Sequence, residues 1–207
     1  PLRLVGSEMC IRDRSVKTGP EAQTEVVVSR ILWAIGFHQP PTYYLKEWSL
    51  KGQVSGPQEA RRFRPDLEGK KATGDWSWYE NPFVGRREYG GLIVANLLFN
   101  NWDWKTSNNK IYELATPVDG VSRVFVVRDL GASLGRTKYP GILKWFRLRG
   151  FGQGTRNDIE GFESQQFIRE VDSEQRPKFD YSGIYRDVIK TVSLEDVAWT
   201  CRLLSRL

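Results

Sequence analysis

The sequence predicts an α+β fold, and three observations carry the prediction. Segments 21–36 and 88–100 place apolar residues at the three-and-four spacing of helices buried on one face. Segments 42–50, 110–114 and 122–128 are strand-length runs rich in aromatic and β-branched residues. The last two flank a turn containing Asp119-Gly120, a pair that favours the tight turn of a β-hairpin.

The run Leu4-Val5-Gly6-Ser7-Glu8-Met9-Cys10-Ile11-Arg12-Asp13 matches one reading frame of a transposon-end sequencing adapter, so residues 1–14 are expected to be an artefact ahead of the natural chain. Cys201 is then the only natural cysteine, which excludes an intrachain disulfide and a multi-cysteine zinc site. A short strand at 15–17 leads through Thr18-Gly19-Pro20 into the first helix, where Pro at the helix start is preorganised. Acidic residues occupy the first turn of that helix, Val27, Ile31, Leu32 and Ile35 are its apolar positions, and Gly36 closes it. Pro40-Pro41 breaks the chain before the strand at 42–50, and a weaker strand follows near 53–54.

Segment 55–87, rich in Gly, Pro and charge around Trp76-Ser77-Trp78-Tyr79, is expected to be a long connection with little regular structure. The second helix, 88–100, turns Leu92, Ala95, Leu98 and Phe99 to its buried side. The hairpin follows, then a glycine-rich stretch, then helices at about 158–171 and 194–207, the latter opened by the capping-box-like Ser193-Leu194-Glu195-Asp196. The last helix runs to the chain end without a Gly or Pro stop, as a truncated product would.

At 207 residues with 40% hydrophobic content, the chain can bury one sizeable core. No apolar run approaches the roughly 18 residues of a membrane span. The net charge of +6 is spread along the chain, which allows a nucleotide or another acidic partner without demanding one. The basic blocks Arg61-Arg62-Phe63-Arg64 and Lys70-Lys71 are expected to be solvated surface, and nucleic acid is the weakest class of partner. With His38 the only histidine, and placed at a helix end, no serine or cysteine triad can be assembled away from it. Gly150, Gly152 and Gly154 lack the Gly-Lys-Ser/Thr that would complete a phosphate loop.

The chemistry concentrates in two loops joined by the hairpin. Asn101-Trp102-Asp103-Trp104-Lys105-Thr106-Ser107-Asn108-Asn109 leaves the second helix, and Asp129-Leu130-Gly131-Ala132-Ser133 follows the hairpin's second strand. Together they supply what phosphoryl transfer requires: one carboxylate to orient an attacking hydroxyl, an amide and a second carboxylate for Mg²⁺, and a cation. A carboxylate placed directly after Val124-Phe125-Val126-Val127-Arg128 needs partners if it is buried.

Asp103, Lys105 and Asn108 stand in the pattern Asp, any, Lys, any, any, Asn, which resembles the catalytic loop of protein kinases, and Asp129-Leu130-Gly131 resembles their metal-binding Asp-Phe-Gly. The chain is similar to an atypical protein-kinase-like family, near bacterial relatives of secreted and spore-coat kinases. The resemblance implies a truncated two-lobed protein-kinase-like fold with a mainly helical C-terminal lobe. Residues 15–60 would be the remnant of the N-terminal lobe, 61–87 the inter-lobe connection and 88–207 the helical lobe carrying both loops. It implies Asp103 as catalytic base, Lys105 on the transferring phosphoryl group, and Asn108 and Asp129, with Asn109 as a further candidate, on the metal. Lys17 would hold the nucleotide phosphates with Glu25, or as second choice Glu21, as its helical partner.

The implied function is transfer of the ATP γ-phosphate, with Mg²⁺ or alternatively Mn²⁺, to a hydroxyl on an unidentified protein or small molecule. Asn101-Trp102 stands where the family has His-Arg, no Ala-Pro-Glu follows the metal loop, and residues 1–14 occupy the place of the glycine-rich loop. These departures make a catalytically inactive binding or scaffold module of the same fold the alternative.

Overall fold

The computed structural model describes residues 14–50, 54–59, 61–65, 70–137, 154–181 and 184–207; the adapter-like run lies outside them. Along the chain, β1 (Arg14–Lys17) leads into α1 (Glu21–Ala34), and β2 (Tyr43–Leu45), β3 (Trp48–Leu50), β4 (Val54–Gln58), β5 (Arg61–Pro65) and β6 (Lys70–Gly74) precede α2 (Arg87–Leu98). A 3-10 turn, Thr106–Asn108, opens into β7 (Asn109–Val118) and β8 (Val121–Val127). Then come α3 (Ile159–Glu163), β9 (Ile168–Val171), β10 (Pro177–Phe179), α4 (Arg186–Ile189) and α5 (Leu194–Leu204).

All the strand pairs among the described residues are antiparallel. β5 lies between β1 and β2, with Val16 opposite Phe63 and Lys17 opposite Arg62. β7 lies between β6 and β8, and two smaller pairs join β3 to β4 and β9 to β10. The β7–β8 turn has φ of 50° at Asp119 and 79° at Gly120. Positive φ at both central residues is the tight hairpin geometry expected from that dipeptide.

The class α+β agrees with this structure, but the mainly helical C-terminal lobe, and with it the two-lobed kinase-like architecture, does not. After α2 the described chain is dominated by the β7–β8 hairpin, the β9–β10 pair and short helices, of which only α5 exceeds five residues. The helix expected at 158–171 is two elements. Asp158 caps α3, accepting from Gly161 N at 3.0 Å, and α3 ends at Glu163. Ile168–Val171 then pairs with Pro177–Phe179, and Phe167 packs on Phe179 at 5.2 Å between ring centroids. The apolar spacing in this stretch fits a helix, yet the chain pairs across strands, with the half-buried Phe167 ring packed beside the pair on Phe179.

The segment expected to be an irregular connection likewise contains β5 and β6, each paired within a three-stranded sheet. Strand formation there depends on partners distant in sequence, which no local pattern displays.

Helices α1 and α2 lie where their periodicity places them. In α1, Ala22, Val26, Val28 and Leu32 are buried while Val27, expected inside, is 40% exposed. The buried face is rotated towards the polar residues Thr24, Glu25 and Ser29, which are buried as well. In α2, Ile93, Val94, Ala95 and Leu97 are fully enclosed, and Leu92 and Leu98 are half-buried. A Cβ on Gly90 would meet the Asp196 carboxyl at 2.5 Å, so its bare backbone permits the close packing of α2 on α5. The box at the start of α5 forms as expected: Ser193 Oγ accepts from Asp196 N at 3.1 Å, and Asp196 Oδ2 accepts from Ser193 N at 2.9 Å. Beneath the two loops, Trp76, Trp78 and Trp104 join α1, α2, Val127 and Leu130 in one core cluster.

Candidate functional site

The loop after α2 is held from below by buried polar groups. Asn101, fully buried, donates to Asn96 Oδ1 at 2.8 Å and accepts from Asp103 N at 3.2 Å. Tyr181 Oη donates to Asn101 O at 2.9 Å, Trp78 Nε1 donates to Trp104 O at 2.7 Å, and Thr106 N donates to Tyr185 Oη at 2.8 Å. Trp104 Nε1 in turn donates to Tyr181 Oη at 2.6 Å. Burial pushes the Tyr181 phenol above its ordinary pKa, so it stays a neutral hydroxyl able to serve both partners. The loop therefore has a defined shape although, before β7, a 3-10 turn is its one piece of regular structure.

Within it, Asn108 Nδ2 donates to Asp103 O at 2.7 Å, folding the loop back on itself. The donor end of the amide is thereby engaged, and Oδ1 is left as the uncommitted acceptor. Lys105 Nζ lies 3.0 Å from Asp103 Oδ2, a partly exposed ion pair.

The second loop is tied to the first by backbone bonds. Arg128 N donates to Asn108 O at 3.0 Å, and Trp102 N donates to Ala132 O at 3.2 Å. Asp129 is left-handed, with φ of 60°, a region that aspartate tolerates better than most residues. Leu130 drops into the core at 1% exposure. A Cβ on Gly131 would lie 2.6 Å from Glu21 Cβ and 3.0 Å from Glu21 O, so glycine lets this loop press against the start of α1.

The contact between loop and helix is electrostatic. Lys17 Nζ sits 2.5 Å from Asp129 Oδ1, 2.5 Å from Glu21 Oε2 and 3.5 Å from Glu25 Oε2. Burial opposes the charge on Lys17, but the bonds to Asp129 and Glu21 outweigh it and hold the ammonium above its ordinary pKa. Burial opposes the charge on Asp129 as well, and the bond from Lys17 holds its carboxyl below the usual aspartate value. Glu25, with its side chain 3% exposed, is shared with Arg62 Nε at 3.3 Å and Arg64 Nη1 at 3.4 Å. Arg156 pairs with Glu21 from outside.

These groups open on a cleft of about 270 Å³ whose lining includes Lys17, Glu25, Arg64, Asn108, Arg128 and Asp129. Lys17, Glu25, Asn108 and Asp129, singled out from sequence, thus share one cavity although they come from β1, α1 and two loops. Glu21 contacts Lys17 beside it. Asp103 and Lys105 lie outside the lining, linked to it through the bond from Asn108 to Asp103 O. Asn109 is not in the cleft: it is fully buried and donates to Trp76 O at 3.1 Å, which gives it a packing role.

Sequence reasoning missed the arginines. The block 61–64, expected to be solvated, instead contributes Arg62 at 4% exposure, donating to Ser15 O at 3.0 Å, and Arg64 in the cleft. No local signal locates them: a strand would turn Arg62 and Arg64 to the face opposite Phe63, but only the pairing of β5 between β1 and β2 brings that face to the cleft.

Among the described residues no group of three or more His, Cys, Asp or Glu is arranged to hold a metal ion. Asp129 and Asn108 together offer a carboxylate and an amide oxygen. These are donor types that Mg²⁺ takes in a shell completed by phosphates and water, and Asp129 Oδ1 is engaged by Lys17. Among the described residues no helix is long and apolar enough to cross a membrane. No protein-family model and no curated protein matches the chain.

Proposed function

We propose that the chain binds the phosphates of ATP in this cleft and transfers the γ-phosphate to a hydroxyl acceptor on a protein or small molecule. The observation that carries this reading is the convergence of Lys17, Glu25, Asn108 and Asp129 on one cleft from four separate segments. Lys17 holds phosphate oxygens, and Glu25 keeps its ammonium in position. Asp129 and Asn108 Oδ1 would hold Mg²⁺, or Mn²⁺ in its place, which when bound neutralises charge on the phosphates. Asp103 orients the acceptor hydroxyl and accepts its proton as ADP leaves, while Lys105, 3.0 Å from Asp103, would stabilise the transferring phosphoryl group.

Equilibrium dialysis with ATP tests the reading. At physiological ionic strength, where metal-free ionic contacts are screened, binding is expected only with a divalent cation and is expected to be lost in Asp129→Ala; metal-independent binding under these conditions that survives the substitution sinks it.

A second reading, a module that binds nucleotide without transferring phosphate, is favoured by one feature. Asp103 lies outside the cleft lining, with its carboxylate engaged by Lys105. Incubation with labelled ATP and a panel of protein, peptide and sugar acceptors separates the two. Tight, metal-dependent binding with no transfer supports the module, and label transfer that Asp103→Asn abolishes supports the enzyme.

A further inference from the structure

The cleft holds more positive charge than the roles above employ. Five cationic side chains line it against two carboxylates, Glu25 and Asp129, and both carboxylates are already engaged by Lys17. Arg62 is tied to Ser15 and Glu25. That leaves Arg64, Lys110 and Arg128, which come from β5, β7 and the residue after β8. Arg128 meets no carboxylate among the described residues, and its Nη1 donates to Tyr112 Oη at 3.0 Å. Lys110 pairs with Asp75, a residue outside the cleft lining. Arg64 has only an oxygen of Glu25 that it shares with Arg62. Burial, followed by repulsion from Arg128 and Arg62, pulls the Arg64 guanidinium down to about 10. Cations crowded in this way repel one another, and a bound dianion relieves the repulsion while accepting charge-assisted hydrogen bonds from the guanidiniums.

We propose that Arg64, Lys110 and Arg128 form a second anion subsite in the cleft that takes a phosphate group beyond the one held by Lys17. The subsite rests on the cleft being a phosphate site but requires neither metal nor transfer. At about 270 Å³ the cavity falls just below the roughly 300 Å³ at which whole-ligand pockets begin, so it suits phosphate groups better than a complete nucleotide. The phosphate can belong to the nucleotide's own chain or to a phosphorylated acceptor.

The test is calorimetric titration of the full chain, free of divalent metal and at low salt, with tripolyphosphate, ATP and inorganic phosphate. Tripolyphosphate is expected to bind, and Arg64→Gln, Lys110→Gln and Arg128→Gln each to weaken it by about tenfold or more, the size of one charge-assisted hydrogen bond. Arg202→Gln, an exposed change on α5, is expected to have no effect. Arg64 also contacts Glu25, so Lys110→Gln and Arg128→Gln, with native circular dichroism, decide the matter if Arg64→Gln unfolds. Wild-type affinity in both overturns the proposal, as does absence of tripolyphosphate binding to the wild type. Equal losses for ATP and tripolyphosphate assign the phosphate to the nucleotide. A loss for inorganic phosphate with ATP unaffected assigns it to an acceptor. Failure of the metal-dependent ATP experiment leaves these outcomes standing, because none of them involves metal.

Discussion

Lys17 meets three carboxylates from two parts of the fold, and its pairing with Asp129 couples protonation to stability. The Asp129 carboxyl is held below its unfolded pKa, near 3.8, so the stability it contributes is complete above that value and lost as pH falls through the lower folded value. Lys17 is held above 10.5, so its contribution is complete below that value and lost as pH rises past the folded one. Thermal unfolding across pH is therefore expected to show a plateau through neutrality with an acid limb beginning near pH 4. Asp129→Asn is expected to make the acid limb slightly shallower, and an unchanged limb would show that other carboxylates account for it. The Asp129 side chain is 42% exposed, so solvent screening keeps its share of that limb modest.

At the scale of elements, the decisive contact is that of the 129–131 loop with the start of α1. Gly131 makes the approach possible, since a Cβ there would overlap Glu21. Gly131→Ala is expected to cost about 1–3 kcal/mol, the usual penalty for forcing a methyl group into a packed contact. Because the overlap lies beside Lys17, the Lys17–Asp129 bond is expected to lengthen too. Urea unfolding reads the first effect, and a weaker acid limb in the thermal profile reads the second. Wild-type behaviour in both would mean that the loop and α1 are not packed this closely. The β7–β8 hairpin belongs to the same scale. Its register opposes Asn109 to Val127, which brings Asn108 and Arg128 side by side and joins the two loops at one end.

Across the whole molecule, the tryptophans connect core and site. Trp78 is 1% exposed, packs on Trp76 and Trp104 with ring centroids 4.7 Å away in both cases, and supplies the hydrogen bond to Trp104 O that supports the Asp103 loop. Trp78→Ala is expected to cost about 3–5 kcal/mol, typical of an emptied aromatic core position. It is also expected to weaken the metal-dependent ATP binding proposed above, because the loop loses its support. Trp33→Ala, at a position 68% exposed, is expected to change neither quantity. Chemical denaturation with dialysis on the same samples checks both expectations, and equal effects at the two positions would contradict the link between core and loop.

The sequence by itself determined the parts whose causes are local. Helices α1 and α2 follow from apolar spacing, the β7–β8 turn from Asp119-Gly120, and the start of α5 from Ser193 and Asp196. That the loops carrying Asn108 and Asp129 meet was legible because the hairpin that joins them is local as well. Tertiary structure alone decided that 61–65 is a central strand, that 168–171 is a strand, and that the described chain after α2 is not a helical lobe. Strands acquire their stability from partners far along the chain, which periodicity in one segment does not reveal. For the same reason Arg62 and Arg64 looked like surface charge: only the pairing of β5 between β1 and β2 carries them to Glu25 and the cleft. Asn109 is the opposite case, a polar residue next to the candidate metal amide whose strand position turns it into the core.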